Sequence, residues 1–85
     1  MTTLEVIVYS RAGCGPCLAT RRWLESRGVD FTTIRTDILP EAAEKLRRAG
    51  FMTLPVVEVR DAKGLLTTWS GFRPSALEAA IGGVS

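Results

Sequence analysis

An α/β fold, a four-stranded mixed sheet with three helices in the order β-α-β-α-β-β-α, is predicted by three features of the sequence. Extended runs rich in β-branched and aromatic residues alternate with helical periodicity through the first half of the chain. The last two extended runs are separated only by Asp61-Ala62-Lys63-Gly64, a turn short enough to make them an antiparallel hairpin. The 85 residues, 46% hydrophobic and 24% charged, suit one globular domain, 1–85, with a single modest core. No Pro/Gly/Ser-rich linker or internal repeat divides it.

The elements follow in order. Leu4 to Tyr9 is β-branched and aromatic without helical spacing, and its nearly continuous apolar run predicts a strand buried on both faces. Leu18 to Arg27 reads as a helix stopped by Gly28. Phe31 to Thr36 alternates and is rich in β-formers. Pro40 suits the first turn of a second helix, in which Leu39, Ala42, Ala43, Leu46 and Ala49 share a face before Gly50. On its wet side Glu41→Lys45 and Glu44→Arg48 are i,i+4 pairs. Pro55–Val59 and Leu65–Trp69 are the hairpin strands, and Ser75–Ile81 is a short last helix. Right-handed crossovers set the first two βα units parallel, and the hairpin adds an antiparallel edge.

Composition excludes several chemistries. Two cysteines and no histidine rule out Ser-His-Asp and Cys-His sites, and any zinc site made from one chain's Cys and His alone. The longest apolar run, Val6-Ile7-Val8-Tyr9, is far short of the ~20 residues of a membrane span. Met1-Thr2-Thr3 lacks the basic start and apolar stretch of a signal peptide. A net charge of +2, with basic residues interleaved among nine acids, gives no footprint for nucleic acid.

The chemistry lies in Cys14-Gly15-Pro16-Cys17, placed where the first strand gives way to the first helix. A C-x-x-C beside a βαβ pattern is a thiol redox motif. The first N–H groups of a helix have no internal partners and carry partial positive charge. A Cys14 thiolate would accept hydrogen bonds from them, which lowers its pKa below the roughly 8.5 of free cysteine. Two intervening residues bring Cys17 back within sulfur reach, and Gly15 and Pro16 keep that turn tight. The alternatives fit less well. A static disulfide across so short a ring removes little chain entropy. Inert buried cysteines suit a core strand better than a Gly-Pro helix start, and a half zinc site lacks two further ligands.

Around the pair, Gly13 belongs to the active-site loop, and Arg11, three residues before Cys14, could hold a cation near the thiolate. An exposed arginine ahead of a loop is equally ordinary. Arg21 and Arg22 read as a solvated helix face from which one could touch an acidic partner. Pro55 opens the third strand after Thr53 and Leu54, and the sequence alone does not establish a cis bond there.

With these residues in place, the chain resembles the glutaredoxin branch of the thioredoxin fold: Cys14–Cys17 follows the first strand, and Leu54-Pro55-Val56-Val57 opens the third. The more specific run is Trp69-Ser70-Gly71-Phe72-Arg73-Pro74. It resembles the signature of NrdH-redoxins, small glutaredoxin-like proteins that donate electrons to class Ib ribonucleotide reductase. Pro40-Glu41-Ala42-Ala43-Glu44 and Gly50-Phe51 are similar to the same family, so the resemblance extends from Val6 to about Leu77.

That resemblance implies a thioredoxin-like fold with Cys14 as exposed nucleophile and Cys17 as resolving thiol. It implies a cis Leu54–Pro55 bond, with the Leu54 backbone facing Cys14 to pair with a substrate strand. Trp69–Pro74 would form a hydrogen-bonded turn and, with Thr53, Leu54 and Pro55, shape the docking surface. A core role for Trp69 and Phe72, with Gly71 and Pro74 turning the chain, is compatible with this. The implied partners are class Ib ribonucleotide reductase and thioredoxin reductase. The resemblance further implies a cytoplasmic monomer with no cofactor or metal, and no nucleic-acid or membrane partner.

The chain departs from the family in two places. Gly15-Pro16 is the thioredoxin pair where the family has bulkier residues, and Ser75 replaces the acid after the signature, though it could still cap the last helix. Thioredoxin itself matches less well: no Trp precedes Cys14, and Val8 stands where thioredoxin keeps a buried Asp. Gly15-Pro16 predicts a potential nearer thioredoxin's ~−270 mV than the roughly −200 to −230 mV of glutaredoxins, which a redox titration distinguishes. Two other functions compete. One is a glutathione-dependent glutaredoxin, which would need cationic and acidic groups for glutathione's carboxylates and amine, or with it a general protein-disulfide reductase. A carrier bridging an iron–sulfur cluster between two chains is disfavoured by Pro16 beside Cys17.

Overall fold

The computed structural model describes residues 4–82. The elements are β1 (Glu5–Ser10), α1 (Gly15–Ser26), β2 (Thr32–Arg35), α2 (Pro40–Arg48), β3 (Val56–Arg60), β4 (Leu66–Ser70) and α3 (Pro74–Ile81), in the expected order. They form one sheet, β2-β1-β3-β4. β1 runs parallel to β2, with Ile7 opposite Thr32, and antiparallel to β3, with Tyr9 opposite Val56. The hairpin pairs Val57 with Trp69. Among the described residues, no helix is long and apolar enough to cross a membrane.

The two-residue period of β1 divides the core between the faces of the sheet. Val6 and Val8 point to one side, where they pack with Val57, Val59 and Trp69 against Leu24 of α1 and Leu77 and Ile81 of α3. Tyr9 points to the other and packs with Val56 against Ala42 and Leu46 of α2. The strand is therefore covered on both faces, as its apolar run predicted. Val8 and Leu24 are fully buried, and burial of such a side chain contributes about 1.5–3 kcal/mol. The site thus hangs from the C-terminal end of β1, one of the two inner strands of the sheet.

Three local expectations are corrected. α1 begins at Gly15 rather than Leu18, because Cys14 caps it and Pro16 lies in its first turn. α3 begins at Pro74 with an extended Arg73 as its N-cap, so Ser75 lies inside the first turn and makes no capping bond. Glu44 pairs with Arg48 as expected, and with Arg47, but Lys45 does not turn to Glu41. It reaches the sheet instead, donating to the Tyr9 hydroxyl at 2.7 Å and lying 3.3 Å from Glu58, whose side chain is only 15% exposed. A largely buried carboxylate needs a partner more than Glu41 does in solvent.

Candidate active site

The active-site loop leaves β1 at Ser10, whose carbonyl accepts the Thr36 amide at 2.9 Å, and turns through Gly13 at φ 72°, a left-handed conformation that favours glycine. Cys14 follows in extended geometry and caps α1, its Sγ accepting the Cys17 amide at 3.2 Å. The Cys14 carbonyl accepts the Leu18 amide at 3.1 Å, and Thr20 Oγ1 donates to the Pro16 carbonyl at 2.9 Å, which secures the first turn. One helical turn therefore joins the cysteines, and they form a disulfide with Cα atoms 5.2 Å apart. Their surroundings differ. Cys17 is wholly buried, whereas Cys14 is half-buried and reaches the surface.

Two grooves open at Cys14. One, of about 390 Å³, runs between Gly13–Pro16 and Met52, Thr53 and Leu54, with Arg11 at its edge. The Leu54–Pro55 bond is cis, and Pro55 is fully buried. The Gly71 amide donates to the Pro55 carbonyl at 2.8 Å, a cross-strand bond that ties the run 69–74 to the cis-proline loop. The other groove, also about 390 Å³, is walled by Arg11–Gly15, Leu18, Arg21 and Arg35. Behind it Arg35 Nε donates to Asp37 Oδ1 at 2.7 Å, and Asp37 Oδ2 accepts the Ala12 amide at 3.4 Å. These bonds, that from Arg35 foremost, hold the Asp37 carboxyl far below the usual carboxylate range.

The run 69–74 divides. Trp69 is only 6% exposed and packs in the core, with no acceptor for its indole N–H among the described residues. Its ring faces inward with Val57, the core placement that the sequence held compatible with docking by the turn as a whole. Phe72, for which the sequence allows both a core and a docking role, is exposed. Ser70 ends β4, Arg73 caps α3 and Pro74 starts it. Sequence reasoning passed over three neighbours of the site: Met52, 89% exposed; the Arg35–Asp37 pair; and Arg21 as a groove residue. A signal for Arg21 was present, since Cys14, Leu18 and Arg21 fall at i, i+4 and i+7, one helix face.

A half-exposed cysteine capping a helix, bonded to a buried one and set beside a cis-proline loop, defines a thiol–disulfide redoxin of thioredoxin-like fold. The glutaredoxin family model matches residues 6–63. The glutaredoxin-like protein NrdH of Escherichia coli K12 is 46% identical over 74 residues, 87% of this chain and 85% of that protein. NrdH of Lactococcus lactis subsp. cremoris is 38% identical over 72 residues, 85% of this chain and 93% of that one. The structure of NrdH-redoxin from Escherichia coli, described as the basis of that protein's thioredoxin-like activity profile, superimposes with a TM-score of 0.77. It is 47% identical, and the match covers 88% of this chain and 92% of that one. The chain belongs to the glutaredoxin family, in its NrdH branch.

Proposed function

We propose that the protein is a protein-disulfide reductase that carries electrons from thioredoxin reductase to a class Ib ribonucleotide reductase. The observation that carries this reading is the unequal exposure of the pair: Cys14 is open to a partner and Cys17 is not. In the reduced protein the Cys14 thiolate attacks one sulfur of the target disulfide, forming a mixed disulfide and releasing the other target sulfur as a thiolate. Cys17, deprotonated, then attacks Cys14 Sγ. The second target thiolate leaves, and the Cys14–Cys17 disulfide forms. The target gains two electrons and, with solvent, two protons; the redoxin loses the same. The Cys17 amide that points at Cys14 Sγ stabilises negative charge on that sulfur.

Support for a protein target comes from the Trp69–Pro74 run and from the NrdH relatives. A monomer cycling in the cytoplasm, where thiols are kept reduced, fits a pair that must be regenerated. A glutathione-dependent activity is the second reading, favoured by the arginines beside Cys14, which could hold glutathione's carboxylates.

The test is NADPH consumption with thioredoxin reductase and oxidised class Ib ribonucleotide reductase as terminal acceptor, run beside glutathione with glutathione reductase. The proposal expects sustained turnover in the first system and little in the second. Efficient reduction by glutathione alone would reverse the preference. Turnover of insulin but not of the reductase would leave a general protein-disulfide reductase.

A further inference from the structure

We propose that the groove walled by Arg11, Arg21 and Arg35 receives a carboxylate side chain of the target's disulfide-bearing segment, so that the protein selects acidic segments. The inference rests on the protein-disulfide reductase reading and adds a specificity determinant to it.

The charges on the surface are unequally satisfied. Arg27 pairs with Glu78, Arg47 and Arg48 with Glu44, and Lys45 with Glu58. Arg11 and Arg21 form no ion pair among the described residues, and neither do Arg22, Arg60, Lys63 and Arg73, but of these six only Arg11 and Arg21 wall the groove that contains Cys14. Arg35, the third cation, is held by Asp37. The groove therefore carries net positive charge next to the sulfur that must meet the substrate.

Arg21 adds a second observation. Its Nε is shielded from solvent and has no acceptor among the described residues. A sequestered, unpaired guanidinium donor is costly, and a carboxylate seated on the Arg21 guanidinium would offset that cost once the side chain turns to present Nε. The planar fork of arginine fits a carboxylate through two parallel hydrogen bonds, in a way a lysine does not.

Placement fits a peptide. The arginine groove shares Arg11, Gly13, Cys14 and Gly15 with the groove that continues to Met52 and Leu54. A segment whose disulfide lies over Cys14 thus spans both. Its backbone passes Leu54, and an acidic side chain near its cysteine lies toward Arg21. The volume of about 390 Å³ accommodates a glutamate side chain with room for water. Opposite charge at this position also steers encounter, an effect that fades with salt.

The test uses two synthetic peptide disulfides that differ only by Glu or Gln two residues from one cysteine. Their rates of reduction by the reduced full chain are measured at low and high ionic strength. The Glu peptide is expected to react about threefold to tenfold faster at low salt, and the ratio to fall toward one at about 1 M salt. Arg21→Gln should collapse the low-salt ratio, with circular dichroism confirming an intact fold. Arg22→Gln removes the same charge from an exposed position outside the groove and should preserve the ratio.

Equal rates for the two peptides would overturn the inference alone, as would a ratio that survives Arg21→Gln or one that Arg22→Gln abolishes equally. Oxidised glutathione supplies the small-molecule source of the same carboxylates. If Arg21→Gln slowed only its reduction and not that of the Glu peptide, the groove would belong to glutathione and the inference would fail. Reduction of neither peptide, nor of insulin, would instead remove the reductase reading on which the inference stands.

Discussion

The Gly71 amide donates a 2.8 Å hydrogen bond to the Pro55 carbonyl, one step beyond the Val56–Ser70 pair that ends the β3–β4 ladder. It ties the signature run to the loop that lines the groove at Cys14. Gly71 sits at φ 87°, yet a Cβ there would meet nothing within 4 Å. The cost of a side chain at this position is therefore one of backbone conformation and not of space.

Gly71→Ala should accordingly lower stability by about 1–2 kcal/mol, the cost of a left-handed L-residue. Gly64, in the hairpin turn at φ 86° with equally open surroundings, supplies the comparison. Both variants should lose similar stability in urea denaturation, but only Gly71→Ala should slow insulin reduction per folded molecule. If the two retain equal rates, the tie to Pro55 has no part in positioning the site.

Cys17→Ser should trap the redoxin on its target. With Cys14 open and Cys17 wholly buried, attack at the surface falls to Cys14, and release needs the second thiol. Incubation with an oxidised protein substrate should give a mixed disulfide through Cys14, seen as a mass increment that dithiothreitol reverses. Cys14→Ser should give none. Adducts mapped to Cys17 in the wild-type protein would reverse the assignment of roles.

Lys45 links stability to alkaline pH. The bond to the Tyr9 hydroxyl, and next the approach to Glu58, raise its pKa above the ordinary lysine value, while desolvation opposes this. A raised folded-state value means that the contribution is fully present below the unfolded pKa of about 10.4 and is lost as pH rises through the folded one. Lys45→Met should therefore destabilise near neutral pH and flatten the stability loss above about pH 10. Denaturant midpoints of both proteins across pH 8–12 check this, and parallel curves would refute it.

The parts legible in the sequence are those set by periodicity and covalent chemistry. Val6, Val8 and Tyr9 already implied a strand covered on both faces, and Cys14–Cys17 before a helical pattern located the redox pair. The cis Leu54–Pro55 bond came from family resemblance and is present. Contacts between elements were less accessible. Nothing local tells Lys45 to prefer Tyr9 and Glu58, because that choice depends on α2 crossing the sheet at that point. Arg21 looked like one more solvated helix cation until the loop carrying Arg11 and the end of β2 carrying Arg35 closed a groove around it.

Asp37 tests that groove from the opposite side. It binds Arg35 and accepts the Ala12 amide, so it both neutralises one of the three arginines and holds the loop that leads to Cys14. Its depressed carboxyl pKa, caused first by Arg35, fixes the sign of its pH effect. The contribution is present above the unfolded value of about 3.9 and is lost as pH falls through the folded one. Asp37→Ala should thus lower the denaturant midpoint at pH 7 and lessen its decline below about pH 4. The site is exposed, so salt should reduce the difference at neutral pH. The same substitution frees Arg35. At low salt it should increase the preference for the Glu over the Gln peptide disulfide, even as the loosened loop slows the reduction of both. A preference that falls in Asp37→Ala would mean that Arg35 contributes only when its geometry is fixed by Asp37.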